Sequence, residues 1–494
     1  MRRNLPRRRL LELTGVGVGV GLAGCSQQSD EDSTAEPTTE TSTRTAGSEP
    51  TTGTTDTTST TTTELDITVE LDLRTPSAVG TVAYDLSVTA SQTLAEVGVS
   101  TAAATTTHSV DDTTMPASGT IDATPGRLNE VVVSVTTADG RQVTQPGYQY
   151  ARMHEPAAES SVDIGAVYVP FMGGGSGEGK WEDCAVGTPR VGTYSTDERD
   201  YSRSNREAVA RHLDQQHGHG VGPVMFNFGE EIADYGRFNV FQDSDLATER
   251  DFECFYVLIQ ALRRNRAIED DLRYVRDQMF TLDNYSTLDG RPLVQIWGGY
   301  AARWHLEDNP LFEDKSLVEH VEWLRETLTP PDGPAPFLVT TSADYGRWVR
   351  RDDADPDETT TAYMAAFDGY TTWFPHLESS TETEWEAALE TTEAEFAGLR
   401  SVADADDKAV IPTVYPGFDD RANTCWGEDR YLPRRVDRFR ELFALADEYR
   451  THDRINVASW NDWNEGHMIE PGTYNDTQYG TRYLDVIRDR YHEA

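Results

Sequence analysis

The feature that most constrains this chain is a change of periodicity at Asp163. From there on, short apolar runs of strand length alternate with longer segments that repeat every three to four residues. Strand signals fall at Ile164–Phe171, Gly222–Phe228, Phe252–Gln260, Pro292–Trp297, Phe337–Thr341, Phe367–Thr372, Ala409–Val414 and Ile455–Ser459. Helical signals lie between and after them, at Arg203–Gln216, Glu269–Met279, Lys315–Leu328, Glu384–Ala403, Arg434–His452 and Gly480–Tyr491. Phe252–Gln260 reads as strand, although a helix fits it as well. This run of βα repeats predicts an α/β fold, a (β/α)8 TIM barrel over 160–494. A doubly wound sheet fits less well, because no Gly-x-Gly-x-x-Gly turn opens the unit. The Gly173-Gly174-Gly175-Ser176-Gly177 loop lacks the Lys-Thr ending of a phosphate loop, so nucleotide binding is not expected.

Upstream, Leu65–His154 obeys a different rule. Leu65, Ile67, Val69, Leu71 and Leu73 alternate with polar neighbours, as do Val82, Tyr84, Leu86 and Val88, then Val131, Val133 and Val135. Turn signals such as Ala138-Asp139-Gly140 separate such runs. They predict a small all-β sandwich of immunoglobulin-like type over 65–154. With no binding constellation in it, a spacer or docking module is the plain expectation, and a carbohydrate-binding module the sharper one.

Residues 26–64 have almost nothing to bury. They are Thr, Ser, Glu and Asp, nearly pure Thr/Ser over Thr54–Thr63, the composition of a disordered stalk open to O-glycosylation. Residues 1–25 read as an address. Arg7-Arg8-Arg9-Leu10-Leu11 resembles a twin-arginine export signal, and Leu13–Ala23 is an apolar run too short to span a bilayer comfortably. Leu22-Ala23-Gly24-Cys25 has the form of a lipobox with Cys25 as the lipidated residue; an uncleaved anchor is the alternative. Both predict an exported protein held at a membrane.

The formal net charge is −42, from 85 acidic against 43 basic residues, and the only lysines are Lys180, Lys315 and Lys408. Such a surface repels nucleic acid, so no partner of that kind is expected. It suits a halophilic setting, where concentrated salt screens the self-repulsion. With Cys25 lipidated, Cys184, Cys254 and Cys425 are left, at spacings that match no zinc site. Cys184 and Cys425 fall in loops at the same end of the barrel, where a disulfide and two free thiols are both open readings. Cys254 reads as a buried thiol.

Chemistry in such a barrel belongs at the carboxyl ends of the strands. Tyr168, Asn227, Glu230, Trp297, Tyr300, Asp344, Tyr345, Trp373, His376, Tyr415, Asp419 and Asp420 collect there. Singly, each reads as a core aromatic or a solvated acid; their convergence is what informs. The densest group follows the last strand, in Trp460-Asn461-Asp462-Trp463-Asn464-Glu465-Gly466-His467-Met468-Ile469-Glu470-Pro471. Indoles stack on the C–H face of a pyranose, amides fork onto hydroxyls, and carboxylates exchange protons. Among 85 acids an Asp-x-x-Glu spacing means little alone; its company of Trp and Asn at a strand end singles it out. Glu470, before Pro471, reads as a structural acid. The candidate carbohydrate-binding residues are Trp460, Asn461, Trp463, Asn464, Tyr168, Trp297, Asp344, Tyr345, His376 and Asp419. No His/Asp cluster shows ligand spacing, and no metal or other cofactor is expected.

Ser459–Pro471 resembles the last-strand signature of glycoside hydrolase family 99 and its WbsX-like relatives. Other stretches are similar to that family in the expected order. Gly165-Ala166-Val167-Tyr168 matches its first strand, and Asp283-Asn284-Tyr285 with Asp289–Val294 the approach to its fourth. Ile411–Arg421 is similar to its seventh strand and loop. The likeness runs over about 163–490 and implies a (β/α)8 barrel that cleaves α-mannosidic linkages inside a glycan, with retention and without a metal. It implies that Glu465 is the catalytic acid/base. It also implies that Asp462 deprotonates the sugar 2-hydroxyl, which attacks its own anomeric carbon to give an epoxide-like intermediate. The family carries glutamate where this chain has Asp462, and a shift of about an ångström can cost on the order of a hundredfold in rate. Val169-Pro170-Phe171-Met172 also departs from a family stretch richer in Tyr and Trp. In the acid role Glu465 must hold a proton, favoured by an ionised Asp462 nearby and a partly dry pocket. Asp462 must stay ionised, helped by amides such as Asn461 or Asn464. The expectation is an exported, tethered glycosidase. A non-catalytic glycan-binding lipoprotein and a WbsX-like polysaccharide-biosynthesis protein are the alternatives, and export away from activated sugar donors argues against the latter.

Overall fold

Strands such as Val224–Phe228 and Phe252–Val257 are buried along their whole length, as parallel strands covered on both faces must be. The computed structural model describes residues 67–170, 191–192, 205–229, 234–242, 244–263, 266–298, 315–342, 345, 358–374, 384–421, 423, 429–474 and 477–492. The expectations for the export signal, Cys25, the stalk, the Gly173–Gly177 loop, Cys184, Cys425, Glu230, Tyr300, Asp344 and His376 lie outside those residues.

The second part of the chain is a parallel barrel. Its strands run in the order Ala409–Ile411, Gly369–Thr371, Phe337–Thr341, Arg291–Trp297, Phe252–Val257, Val224–Phe228, Asp163–Tyr168, Arg454–Val457 and Thr413–Val414. Each neighbouring pair is parallel. The two ends of that order are separated in sequence only by Pro412, which has no N–H for a ladder and whose carbonyl accepts from Asn456 N–H at 2.9 Å. Counting the two segments as one strand interrupted at Pro412 closes the path with eight staves. Helices alternate with the strands, among them Asn205–Gly218, Leu317–Leu328, Trp385–Asp406, Val436–Tyr449 and Arg482–Tyr491. Leu317–Leu328 starts with a reciprocal cap between Ser316 and Glu319.

Alternation along each strand sorts its side chains into two sets. Ile164, Ala166, Val224, Phe226, Val294 and Ile296 face the helices and share a core with Val209, Leu213, Val321 and Leu442. Val167, Met225, Phe255 and Val257 face inward, together with Trp463 and Met468 from the last loop. Further down, Leu293, Phe337, Val339, Ala409 and Ile411 fill the interior. A polar band lies among them: Gln295 donates to Glu253 at 2.6 Å, Asn456 donates to Gln295 at 2.7 Å, and Arg454 pairs with Glu253 at 2.5 Å. Mutual pairing is what makes such groups tolerable in a packed interior.

The structure also shows where local signals misled. Phe252–Gln260 is both things in turn, a strand to Val257 and then a helix over Leu258–Arg263. Glu269–Met279 is helical but ends in a π-turn over Val275–Met279. Two helices went unread, Asp234–Gln242 and Glu358–Ala365. The first holds a glycine among aromatics and the second three successive threonines, so neither has the propensity of a helix.

Ahead of the barrel, two antiparallel sheets share one apolar core. One has the order Ile67–Arg74, Thr81–Ala90, Thr114–Asp122; the other has Thr105–Ser109, Leu94–Ser100, Arg127–Thr137, Gln142–Ala151. The Thr105–Ser109 and Thr114–Asp122 strands carry too few apolar residues to announce themselves. Polar bonds fix this unit to the helix Asn205–Gly218 and its neighbour. Met153 N–H donates to Asp214 at 2.7 Å, Leu128 N–H to Glu207 at 3.0 Å, and Tyr150 N–H to Asp245 at 2.7 Å. Cys254 is buried, as its sequence context suggested.

Candidate active site at the mouth of the barrel

Beyond Val457 the chain makes a loop that returns to its own start. Ser459 N–H donates to His467 O at 2.9 Å and Ile469 N–H to Ser459 O at 2.9 Å, while Trp460 N–H donates to Val167 O at 2.8 Å. Asn461 adds a side-chain clamp on the first strand: Oδ1 accepts from Val169 N–H and Nδ2 donates to Val169 O, both at 2.8 Å. Inside the loop, Ser459 Oγ accepts from Asp462 N–H at 2.8 Å. Asp462 Oδ1 in turn accepts from Asn464 N–H at 3.2 Å and Glu465 N–H at 3.3 Å. Short polar side chains at the start of a tight turn do this readily. Gly466 then takes φ of 66°, a left-handed conformation that glycine adopts without a Cβ clash. That reversal brings the side chains on either side of it together.

What converges is a triad. His467 Nε2 lies 3.1 Å from Glu465 Oε2 and 3.5 Å from Asp462 Oδ2. The imidazole is fully buried, while the two carboxylates keep 15% and 13% of their exposure, so the acids face the opening and the histidine backs them. Burial alone would lower the proton affinity of His467, but the charge of Asp462 and then hydrogen bonds to both acids outweigh it and push its pKa up to about 9. Phe418 stacks parallel to the ring at 5.8 Å, and Phe374 and Trp373 meet it edge-on at 4.7 and 5.7 Å. Among the described residues these three form the group of histidine and acids whose ligand-type atoms lie within 4.8 Å of one another. No ligand-type spacing in the sequence announces this cluster, because the approach of His467 depends on the backbone turn at Gly466 and on Phe418, from a hairpin (Phe418–Asp419 with Tyr431–Leu432) distant in the chain.

The loop is held from outside as well. Arg434 donates to Gly466 O at 2.6 Å and to Met468 O at 2.7 Å, and its guanidinium lies 4.7 Å from the centres of the Tyr479 and Tyr483 rings. Asp419 N–H donates to Glu465 O at 2.7 Å. The Asp419 carboxylate is forked onto Arg421. Asp420, fully buried, pairs with Arg430, whose guanidinium lies over the Phe418 ring at 5.0 Å. Glu470 has the structural role expected of it: it accepts from Trp463 Nε1 at 2.7 Å and contacts His212 Nε2 at 3.0 Å.

Several expected binding residues sit elsewhere. Tyr168 has the parity of Ile164 and Ala166 and points toward the helices, where its hydroxyl is 3.1 Å from His212 Nδ1. Burial, with Glu470 nearby, pushes that phenol well above its ordinary range, so it stays protonated. Trp460 is fully buried on the same outer side, its ring against His212, and Tyr345 packs with Tyr370 in that core. None of these three lines the mouth. Tyr415 likewise turns outward, bonded to Thr392 at 2.9 Å. Trp463 faces inward but is 1% exposed, and Asn461 is wholly engaged by Val169. Trp297 and Trp373 do stand at the inner rim, partly exposed, with ring centres 6.1 Å apart. Asn464 is fully buried, and neither end of its amide has a partner among the described residues.

Comparison with known proteins adds a statement about fold. No family model matches the chain, and no curated protein matches it. Among solved structures, it is similar to a glycoside hydrolase-like protein at 14% identity and a TM-score of 0.51, covering 68% of this chain and 96% of that one. It is also similar to a family 99 endo-alpha-mannosidase from Bacteroides thetaiotaomicron, at 18% identity and a TM-score of 0.45 over 66% and 94% of the two chains. A family 5 xyloglucanase from Bacteroides ovatus matches at 11% identity and a TM-score of 0.35, over 85% and 99%. The first of these shows that the barrel architecture is one found in glycoside hydrolase-like proteins. Among the described residues no helix is long and apolar enough to cross a membrane.

Proposed function

We propose that this protein is an exported, membrane-tethered glycoside hydrolase that cleaves α-mannoside-type linkages of a polysaccharide with retention of configuration. The observation that carries the reading is the meeting of Asp462 and Glu465 at the carboxyl end of the last barrel strand, with carboxylate oxygens within 4.8 Å. At that spacing both acids can reach one sugar ring, Glu465 at the leaving oxygen and Asp462 at the neighbouring hydroxyl. The partly exposed indoles of Trp297 and Trp373 offer faces for a pyranose.

In this reading Glu465 gives a proton to the leaving glycosidic oxygen while Asp462 takes the hydrogen of the sugar 2-hydroxyl, whose oxygen closes on the anomeric carbon. Water then opens that ring, returning one hydrogen to Glu465 as Asp462 returns its own to the 2-oxygen. Attachment through Cys25 and a stalk over 26–64 would carry the barrel outside the cell, where the acidic surface suits concentrated salt. Incubating the full chain with soluble α-mannans in high salt tests the reading. Wild type releases reducing ends whose anomeric configuration, followed by NMR, matches the substrate, and Glu465→Gln releases none while its circular dichroism is unchanged. Equal turnover by Glu465→Gln removes Glu465 from the chemistry.

One observation favours a second reading, a glycan-binding protein without turnover. Asp462 uses one oxygen to cap its own turn, through the two N–H contacts at 3.2 and 3.3 Å, as a purely structural aspartate would. Asp462→Glu separates the two. A strong rise in hydrolysis supports a glycosidase with a shortened base, and glycan binding without hydrolysis in both forms supports the binder.

A further inference from the structure

We propose that His467 is a positioning residue that stores the catalytic proton, holding it between Asp462 and Glu465 and passing it from Nε2 to Glu465 when a glycan occupies the mouth. The proposal rests on the glycosidase reading above and explains how an acid could be available there near neutral pH.

The difficulty it answers is one of supply. A carboxyl group left at its ordinary glutamate pKa is protonated in only about one molecule in several hundred at pH 7. Two carboxylates close together would share a proton, but burial and mutual repulsion must then do all the work. Here an imidazole has been placed between them. Its contact with Glu465, 3.1 Å, is shorter than that with Asp462, 3.5 Å, which puts Glu465 within direct proton-transfer reach. Nδ1 has no partner among the described residues, which leaves Nε2 as the ring atom with acceptors. The ring is fixed in its plane by Phe418 and edge-on by Phe374 and Trp373.

The charges balance. Imidazolium with two carboxylates carries a net charge of −1. After transfer, neutral imidazole, protonated Glu465 and ionised Asp462 carry the same charge, so no net charge is created in a buried place and no proton comes from solvent. Glu465 then gives the hydrogen to the departing glycosidic oxygen, recovers one from water, and returns it to Nε2. The other charged groups around the ring are already committed. Arg434 is on the Gly466 and Met468 carbonyls, Arg430 is paired with Asp420 behind Phe418, and Asp419 is paired with Arg421. Among the described residues, the two carboxylates are thus the charged groups in direct contact with the ring.

Two measurements on the full chain test this. In a 15N NMR titration of the histidine side chains, the resonance missing from His467→Asn titrates near pH 9 in wild type and at lower pH in Glu465→Gln, which keeps the ring but removes one anion. A wild-type midpoint below 7 overturns the proposal, whether or not His467→Asn folds well enough to assay. In the second measurement, the pH profile of reducing-end release from soluble α-mannan has its alkaline limit in wild type near the histidine titration. In His467→Asn that limit falls by about two pH units or more, toward the carboxyl range, with turnover partly recovered in acid. An unchanged alkaline limit sinks the proton store and leaves the glycosidase reading standing. No release by wild type at any pH refutes that reading and the proton store with it.

Discussion

The side-chain amide of Asn461 meets the backbone of Val169 in both directions, accepting from its N–H and donating to its carbonyl at 2.8 Å each. The pair acts as an extra rung between the first strand and the loop after the last one, continuing the pairing of those two strands. It also sets the loop's height over the mouth, since Asp462 follows directly.

Asn461→Ala removes both partners of a buried backbone pair at once. Leaving buried donors and acceptors unmet costs about 1–3 kcal/mol each, so a loss of roughly 2–6 kcal/mol in urea unfolding is expected. Asn461→Asp, which keeps the acceptor but loses the donor, should fall between the two. A loss below about 1 kcal/mol for Asn461→Ala would mean that the clamp is replaceable by water.

Much of the barrel was legible because its strands are buried on both faces and its helices on one, so the two periods differ along the chain. Ala409–Val414 was read as one strand and is one, interrupted where Pro412 has no N–H to give. The site was legible in part. The cluster from Trp460 to Glu470 announced itself by composition, but composition does not say which way a side chain points. Tyr168 shares the outward parity of Ile164 and Ala166, a clue present in the alternation; Trp460 lies beyond the strand, where no parity rule holds. His467 was illegible for a stronger reason. Its partners are set by a glycine's left-handed turn and by Phe418 and Phe374, brought in from two other strands' loops, and no local pattern encodes that meeting.

Gly466 gives a test of that geometry. Its φ of 66° costs a side chain about 1–2 kcal/mol, so Gly466→Ala should be destabilised by that amount. Gly480 has φ of 53° with nothing near its would-be Cβ, so Gly480→Ala should cost about the same by the same argument. The two should differ in function. Gly466→Ala shifts Glu465 against His467 and should lose an order of magnitude or more in sugar release, while Gly480→Ala should keep wild-type turnover. Equal turnover in the two variants would show that the convergence of the triad is not what the reaction needs.

The triad also predicts how stability depends on pH. An unfolded histidine titrates near 6.5, whereas His467 in the fold is pushed up to about 9 by its two acids. The folded state therefore holds a proton that the unfolded state has given up throughout the interval between those values. Below 6.5 both states are protonated, and the full stabilisation from the paired imidazolium is present. As pH rises from 6.5, stability falls, and by pH 9 and above the gain has gone, amounting to about 3 kcal/mol in all. Other groups titrate in the same window, Glu253 among them, its pKa raised by burial to about 7 in spite of Arg454. The relevant quantity is thus the difference in urea-unfolding free energy between wild type and His467→Asn, measured at intervals from pH 6 to 10. That difference should shrink steadily between about 6.5 and 9 and be flat on either side. If it is constant across the range, the imidazole is neutral throughout and the carboxylates beside it have found their balance elsewhere.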